Sequence, residues 1–330
     1  MAAPTDRNLA LELVRVTEGA ALAAARLMGR DRKEEADEAA VTAMRSRLAY
    51  VDMDGIVVIG EGEKDKAPML FIGEAVGNGN EPRVDVAVDP IDGTRLVARG
   101  LPGGIATVAL AERGSLFHTH VPYMEKLIVG PAVAHVIDIT ESVGVNLRRI
   151  ARAKGCTVDE LTVVVLDRER HEPLLAEIRA AGARVKLIMD GDVAAAVMAA
   201  MDARTGIDAL MGIGGAPEAV LAACALKCLG GGMQARLWVR DDEQKKIMQG
   251  EHLSTVRVYQ LDDLCGGDNV FFAATGITDG ELLSGVRYRG EHAITHSVVM
   301  RSASGTVRYI EAEHDLRRLD PARHKARTHR

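Results

Sequence analysis

Aromatic residues are scarce: Phe, Trp and Tyr make up 3% of the 330 residues, and there is a single Trp. A core built from this chain must rest on Ala, Val, Leu, Ile and Met, which supply most of the 47% hydrophobic fraction. A basic excess is also missing. The net charge is −6, which argues against a nucleic-acid binder, since such proteins show a basic excess or stripe. The basic tail, Arg323-His324-Lys325-Ala326-Arg327-Thr328-His329-Arg330, reads as a solvated terminus, because chain ends are usually poorly ordered. No apolar run approaches the roughly 18 residues of a membrane span, and the N-terminus lacks the apolar core of a signal peptide. The cysteines are few: Cys156, Cys224, Cys228 and Cys265. Their spacing is not a disulfide framework. Cys224 and Cys228, four apart in an Ala- and Leu-rich run, read as small buried hydrophobes. These absences together point to a reducing cytoplasm and to no membrane or nucleic-acid partner.

What is present divides the chain into two halves, residues 1–158 and 159–330, without a Pro- or Gly-rich linker, so the halves are expected to pack as one unit. In the first half, Leu9, Leu13, Val16 and Ala20 recur at helical spacing within residues 5–28. Ala36, Ala40, Met44 and Leu48 do the same within 33–50. The second of these helices has Glu34, Glu35 and Asp37 near its start and Arg45 and Arg47 near its end, the order that suits the helix dipole. From Asp54 the helical period gives way to short β-branched runs. Strands are expected at 56–59, 84–88 and 105–112, then at 115–121, 126–130 and 133–137. They imply a largely antiparallel sheet under two helices. The second half alternates strand and helix three times between 161 and 229, which argues for a mainly parallel layer. A polar surface helix over 241–256 and further strands at 235–239, 270–274, 285–289, 293–301 and 305–312 follow.

Chemistry is suggested where acidic residues sit at the ends of apolar runs. Gly60-Glu61-Gly62-Glu63 follows the strand at 56–59, and its glycines allow a sharp turn and a close ligand. Taken alone it is equally a surface turn. Asp89-Pro90-Ile91-Asp92-Gly93-Thr94 is more specific. Its two carboxylates and a backbone carbonyl can converge on a hard cation, and Mg²⁺ and Mn²⁺ prefer such oxygen ligands. Gly93-Thr94 can open a turn whose amides face a phosphate.

That string is the metal-loop signature of the lithium-sensitive phosphatase superfamily. The flanking motifs narrow the resemblance: Ile59-Gly60-Glu61-Gly62-Glu63, Tyr123-Met124-Glu125-Lys126-Leu127-Ile128-Val129-Gly130-Pro131, Met189-Asp190-Gly191-Asp192-Val193-Ala194, Gly212-Ile213-Gly214-Gly215-Ala216-Pro217-Glu218 and Ala274-Thr275-Gly276-Ile277-Thr278-Asp279-Gly280. In this order they closely resemble the class II fructose-1,6-bisphosphatases, over residues 8 to 315.

The resemblance implies a layered α-β-α-β-α sugar-phosphatase fold of the α/β class, with mixed sheets and helix layers between and outside. It implies one metal site at Asp37 and Glu61 and a second at Asp89, Asp92 and Glu218, filled by Mn²⁺ or Mg²⁺. Asp92 replaces the Glu that some relatives carry. Asp37 by itself reads as a helix-start charge, and Glu218, after Pro217, as favourable first-turn electrostatics. The resemblance also implies that Asp92, Gly93 and Thr94 hold the phosphate to be removed. Tyr123, Arg168, Arg170, Asp190, Gly191, Asp192 and Gly215 would contact the rest of the sugar phosphate. Glu169 stands where the family often has Pro, and without the resemblance Asp167-Arg168-Glu169-Arg170-His171 is a solvated charge run.

A phosphate monoester carries about two negative charges at neutral pH, so a pocket of carboxylates needs divalent cations before it can accept one. Thr94, with Asp37 and Glu61, is the expected catalytic group: its hydroxyl positions the attacking water and a carboxylate takes the proton. As a bare residue Thr94 is equally a helix cap. The expected reaction is removal of the 1-phosphate of fructose 1,6-bisphosphate, in gluconeogenesis or carbon fixation, by a homodimer or homotetramer. A dual enzyme that also takes sedoheptulose 1,7-bisphosphate and a non-catalytic sugar-phosphate sensor are the alternatives.

Overall fold

The computed structural model describes residues 6–61 and 70–319. Gly62, Glu63 and the basic tail lie outside the described residues. The apolar spacing at the N-terminus produces the two expected helices. α1 (Asp6–Ala24) buries Leu9, Leu13, Val16 and Ala20, and tightens into a 3-10 turn over Ala25–Leu27. α2 (Lys33–Leu48) buries Ala36, Ala40, Met44 and Leu48.

The period then falls to two. β1 (Asp54–Ile59), β2 (Ala75–Val76) and β3 (Arg83–Asp92) lead through Gly93 into the short α3 (Thr94–Arg99). β4 (Ile105–Glu112) and β5 (Tyr123–Val129) follow. After α4 (Val143–Lys154) come β6 (Thr162–Leu166), α5 (Glu172–Ala180), β7 (Arg184–Ile188), α6 (Val193–Ala200) and α7 (Asp202–Thr205). β8 (Ala209–Gly215), α8 (Ala216–Leu229), β9 (Gly232–Trp238), α9 (Asp242–Gly250), β10 (Tyr259–Gln260) and α10 (Leu261–Leu264) come next. The chain closes with β11 (Phe271–Gly276), β12 (Arg287–Arg289), β13 (His292–Arg301), β14 (Thr306–Asp315) and α11 (Leu316–Leu319).

These strands form two sheets. One is eight-stranded, in the order β12-β13-β11-β4-β3-β1-β2, with β14 added beside β13. Only β1 and β3 run parallel in it, so the expected antiparallel character holds. The other is six-stranded, in the order β10-β9-β5-β8-β6-β7. Here the expectation of a mainly parallel layer needs correction. β6 runs parallel to β7 and β8, but β5, β9 and β10 join antiparallel.

Side-chain alternation along each strand assigns its two faces to different layers. Val86, Val88, Val108, Leu110, Phe271 and Ala273 of the first sheet pack on α1 and α2. Ala87, Ala109, Phe272 and Ala274, from the opposite face, pack on α6 and α8 together with Met124, Ile128, Val164 and Leu210 of the second sheet. The far face of the second sheet packs on α4 and α5 through Leu127, Val129, Val163 and Val165. The order is therefore α-β-α-β-α, as expected. Because α8 is covered on both sides, it is apolar all round, and Cys224 and Cys228 are buried within it.

Three local expectations fail. Residues 115–121 alternate like a strand, but two of their backbone donors go to carboxylates: Leu116 N–H to Asp85 at 3.1 Å and His120 N–H to Glu251 at 2.9 Å. A single bridge, Leu116 to Cys265, is all the pairing they make. Residues 133–137 are not a strand, because Pro131 opens a 3-10 turn that ends at Val133. Helix α4 was not expected. Its signals are nonetheless present: Ser142 caps Val145, Leu147, Ile150 and Ala151 face inward, and Gly155 ends it at a φ of 70°.

Candidate active site

The site begins at the end of β3. The pairing register with β4 breaks between Asp89 and Asp92, and such irregularities re-aim side chains. Asp89 Oδ1 accepts the Ile91 N–H at 3.0 Å. Asp92 is 2% exposed, and its Oδ2 accepts the Val193 N–H at 3.1 Å. It thus satisfies an unpaired donor at the start of α6, and ties the first sheet to the middle layer. Thr94 starts α3 and donates to the Ile91 carbonyl at 3.3 Å.

Asp37 reaches the same place from α2. Burial raises its pKa to about 6, against a lowering influence of the nearby Thr94 hydroxyl. Glu61, just past β1, keeps solvent access at the mouth of the cleft. The surrounding protein mass, then Asp37 and Glu218, raise its pKa to about 7. Asp89 is held well above the usual carboxylate range by burial and by Asp92, Glu61 and Glu218. Asp92 is raised by burial, Asp192 and Glu218. Glu218, in the first turn of α8 after Pro217, is raised by burial, with Lys126 opposing. Each of the five expected metal residues thus lies within electrostatic reach of at least one of the others.

Asp190, Gly191 and Asp192 link β7 to α6 and close the same cleft. Asp190 Oδ1 accepts Arg168 Nη2 at 2.8 Å, and its Oδ2 accepts the Arg95 N–H at 3.3 Å. Gly191 has a φ of 66°, and a Cβ there would stand 3.0 Å from the Asp92 carboxylate. A side chain is therefore disfavoured on two grounds. Gly215 ends β8 and caps α8.

Beside the carboxylates opens a cavity of about 610 Å³ lined by Arg95, Tyr123, Asp167, Arg168, Glu169, Arg170, Met189, Trp238 and Arg240. Arg170 lies 5.5 Å from the Tyr123 ring centroid and donates to the Ile213 carbonyl at 2.7 Å. Tyr123 packs edge-on to Trp238, with centroids 5.8 Å apart. The stretch 167–171, readable as a charge run, therefore turns its arginines into a cavity. Glu169 lines it too, at the position where the family often has Pro.

Sequence reasoning missed Arg95, Trp238 and Arg240 in that wall, and it gave no role to Lys126. Lys126 Nζ donates to Asp192 Oδ2 at 2.6 Å, with both side chains buried. One signal was available: Lys126 falls on the same strand face as the buried Met124 and Ile128.

Among the described residues, no group of three or more His, Cys, Asp or Glu is arranged as a ready-made metal site. The chemistry of the donor set still fits hard divalent cations. It is all oxygen and anionic, the carboxylates raise one another's pKa, and Asp192 Oδ1 is buried without a hydrogen-bond partner.

Among the described residues, no helix is long and apolar enough to cross a membrane. A family model described as bacterial fructose-1,6-bisphosphatase, glpX-encoded, matches residues 7–314. Fructose-1,6-bisphosphatase 1 class 2 of Escherichia coli K12 is 44% identical over 328 residues, covering 96% of this chain and 97% of that protein. Fructose-1,6-bisphosphatase class 2 proteins of Escherichia coli O6:H1 and Shigella flexneri are similar to the same extent. With its sequence matched along nearly the whole chain, the protein belongs to the bacterial, glpX-encoded fructose-1,6-bisphosphatase family.

Proposed function

We propose that the protein is a metal-dependent phosphoric monoester hydrolase that converts fructose 1,6-bisphosphate and water into fructose 6-phosphate and inorganic phosphate. One observation carries this reading: mutually repelling carboxylates, with Asp92 buried among them, are joined through Asp190 to Arg95 and Arg168 in the wall of an arginine-lined cavity. Such a site is built for an anion that arrives with, or onto, cations.

Asp37 and Glu61 would hold one Mn²⁺ or Mg²⁺, and Asp89, Asp92 and Glu218 a second. Bound divalent ions neutralise phosphate charge, stabilise the leaving oxygen and lower the pKa of water. The chain supplies the rest. Asp92, Gly93 and Thr94 seat the phosphate that leaves. The Thr94 hydroxyl orients the attacking water, and Asp37, beside it, and Glu61 accept the proton. Arg168 and Arg170 offer paired N–H donors to the distal phosphate, next to the Tyr123 ring. Asp190, Gly191, Asp192 and Gly215 contact the sugar.

The halves 1–158 and 159–330 then work as one unit, the first supplying most metal carboxylates and the second most sugar contacts. Four free cysteines suit a reducing cytoplasm. A homodimer or homotetramer serving gluconeogenesis or carbon fixation is consistent with the family.

Phosphate release from fructose 1,6-bisphosphate and from sedoheptulose 1,7-bisphosphate, each with Mg²⁺, Mn²⁺ or EDTA, tests the reading. Metal-dependent release from the first is expected. Comparable release from the second would make the enzyme a dual one. No release from either, despite bound metal, would leave a sugar-phosphate sensor.

A further inference from the structure

Lys126 is the only lysine or arginine that is buried among the described residues. It sits on β5 and points into the layer between the sheets. Its ammonium is spent on Asp192 Oδ2, at 2.6 Å, with 1% and 5% of the two side chains exposed. The other carboxylate oxygen, Asp192 Oδ1, is buried and bare. A pair that served only to hold the fold would satisfy both oxygens, because a buried acceptor left alone costs its full desolvation. The backbone is shaped around this pair. A Cβ at Gly214 would stand 2.0 Å from Asp192 Oδ2 and 2.8 Å from Lys126 Nζ, so a side chain there would displace the pair. Asp192 is close enough to Asp92 and Glu218 to act on both. The pair therefore stands at the border between the middle layer and the carboxylate cluster.

We propose that Lys126 is a positioning residue: it fixes Asp192 so that Oδ1 is presented to a hydroxyl of the bound sugar phosphate. This rests on the sugar-phosphatase reading above. Sugar hydroxyls donate, and an ionised carboxylate only accepts. The ammonium also offsets the Asp192 charge, so that this acceptor does not add to the repulsion of an incoming phosphate. A substrate without sugar hydroxyls gains nothing from the arrangement.

Steady-state kinetics on fructose 1,6-bisphosphate and on para-nitrophenyl phosphate test this, using the wild type, Lys126→Met, Asp192→Asn and the double variant. Lys126→Met is expected to raise KM for the sugar bisphosphate about tenfold, the usual scale of one lost charged hydrogen bond. Its loss of kcat/KM should be about fivefold or more larger on the sugar than on the aryl phosphate. The double variant should be no worse than the worse single, because the residues act as one unit. Equal losses on both substrates, or losses that multiply in the double variant, would overturn the proposal. Should Lys126→Met fail to fold, the double variant, which buries neither charge, is compared with Asp192→Asn. A further loss of about tenfold on the sugar would then overturn it, and an unchanged KM would support it. A wild type inert on fructose 1,6-bisphosphate overturns the parent reading and this inference together. An active wild type with an unaltered Lys126→Met variant overturns this inference alone.

Discussion

Asp92→Asn asks whether the carboxylate cleft is a burden that only bound cations relieve. Asp92 is 2% exposed, and burial, then Asp192 and Glu218, push its pKa well above 3.8. A carboxyl with a raised folded pKa gives its full support below its unfolded pKa and loses it as pH rises through the folded value. At pH 7 the folded chain must either hold a proton that the unfolded chain would release or bury a charge. Neutrality lies about three pH units above the ordinary value, at about 1.4 kcal/mol per unit, so the cost is at most about 4 kcal/mol. Proton sharing with Asp89 and Glu218 reduces it. Asn keeps an oxygen for the Val193 N–H, now at 3.1 Å, so the substitution removes charge without removing the tie to α6. In EDTA at pH 7, Asp92→Asn should be the more stable protein by up to about 4 kcal/mol, and the gap should close towards about pH 4. With Mn²⁺ the order should reverse, because the wild type gains binding free energy that the variant forfeits. Urea unfolding followed by circular dichroism across that pH range measures both. A variant less stable than wild type in EDTA at pH 7, or a gap that ignores pH, would refute the reasoning.

Thr94→Ala should lower kcat about 100-fold while Mn²⁺ affinity holds; near-full turnover would remove Thr94 from the chemistry. Arg170→Ala, which opens the cavity wall, should raise the KM for fructose 1,6-bisphosphate about tenfold or more and spare kcat, and an unchanged KM would place the distal phosphate elsewhere. Phe272→Ala empties a fully buried position in the middle layer, and should cost about 3–5 kcal/mol in urea unfolding; a loss below about 1 kcal/mol would mean that the layer repacks.

Strands β3, β4 and β11 were legible as short apolar runs, whereas their stacking into layers was implied by the family resemblance. The acidic loop was legible because Asp89, Pro90 and Asp92 are adjacent in the chain. Alternation alone was not enough at 115–121. A strand also needs a neighbour with free donors and acceptors, and there Asp85 and Glu251, distant in sequence, took two of the donors instead. Residues 133–137 were ambiguous for a different reason: a short apolar run looks the same in a strand, a turn or the flank of a helix. What decided it was Pro131, two residues upstream.

Sheet membership was hidden more deeply. β5 precedes the alternating half in sequence but lies in the middle of its sheet, between β8 and β9. β11 to β14 come last and return to the first sheet. No local pattern encodes such crossings, because pairing partners are chosen by the packing of the finished layers. The same holds for the two residues whose meaning changed most. Asp37 on α2 differs from Glu34 and Glu35 only in which way its helix position faces, and Lys126 looks like a flaw in an apolar strand until Asp192 arrives from another segment. A charged residue at a position that periodicity assigns to the interior is thus the sign to look for: burying it without a partner is costly, so the fold must bring that partner from elsewhere. Here the partner is a carboxylate at the edge of the cleft, and the interior lysine becomes part of the site.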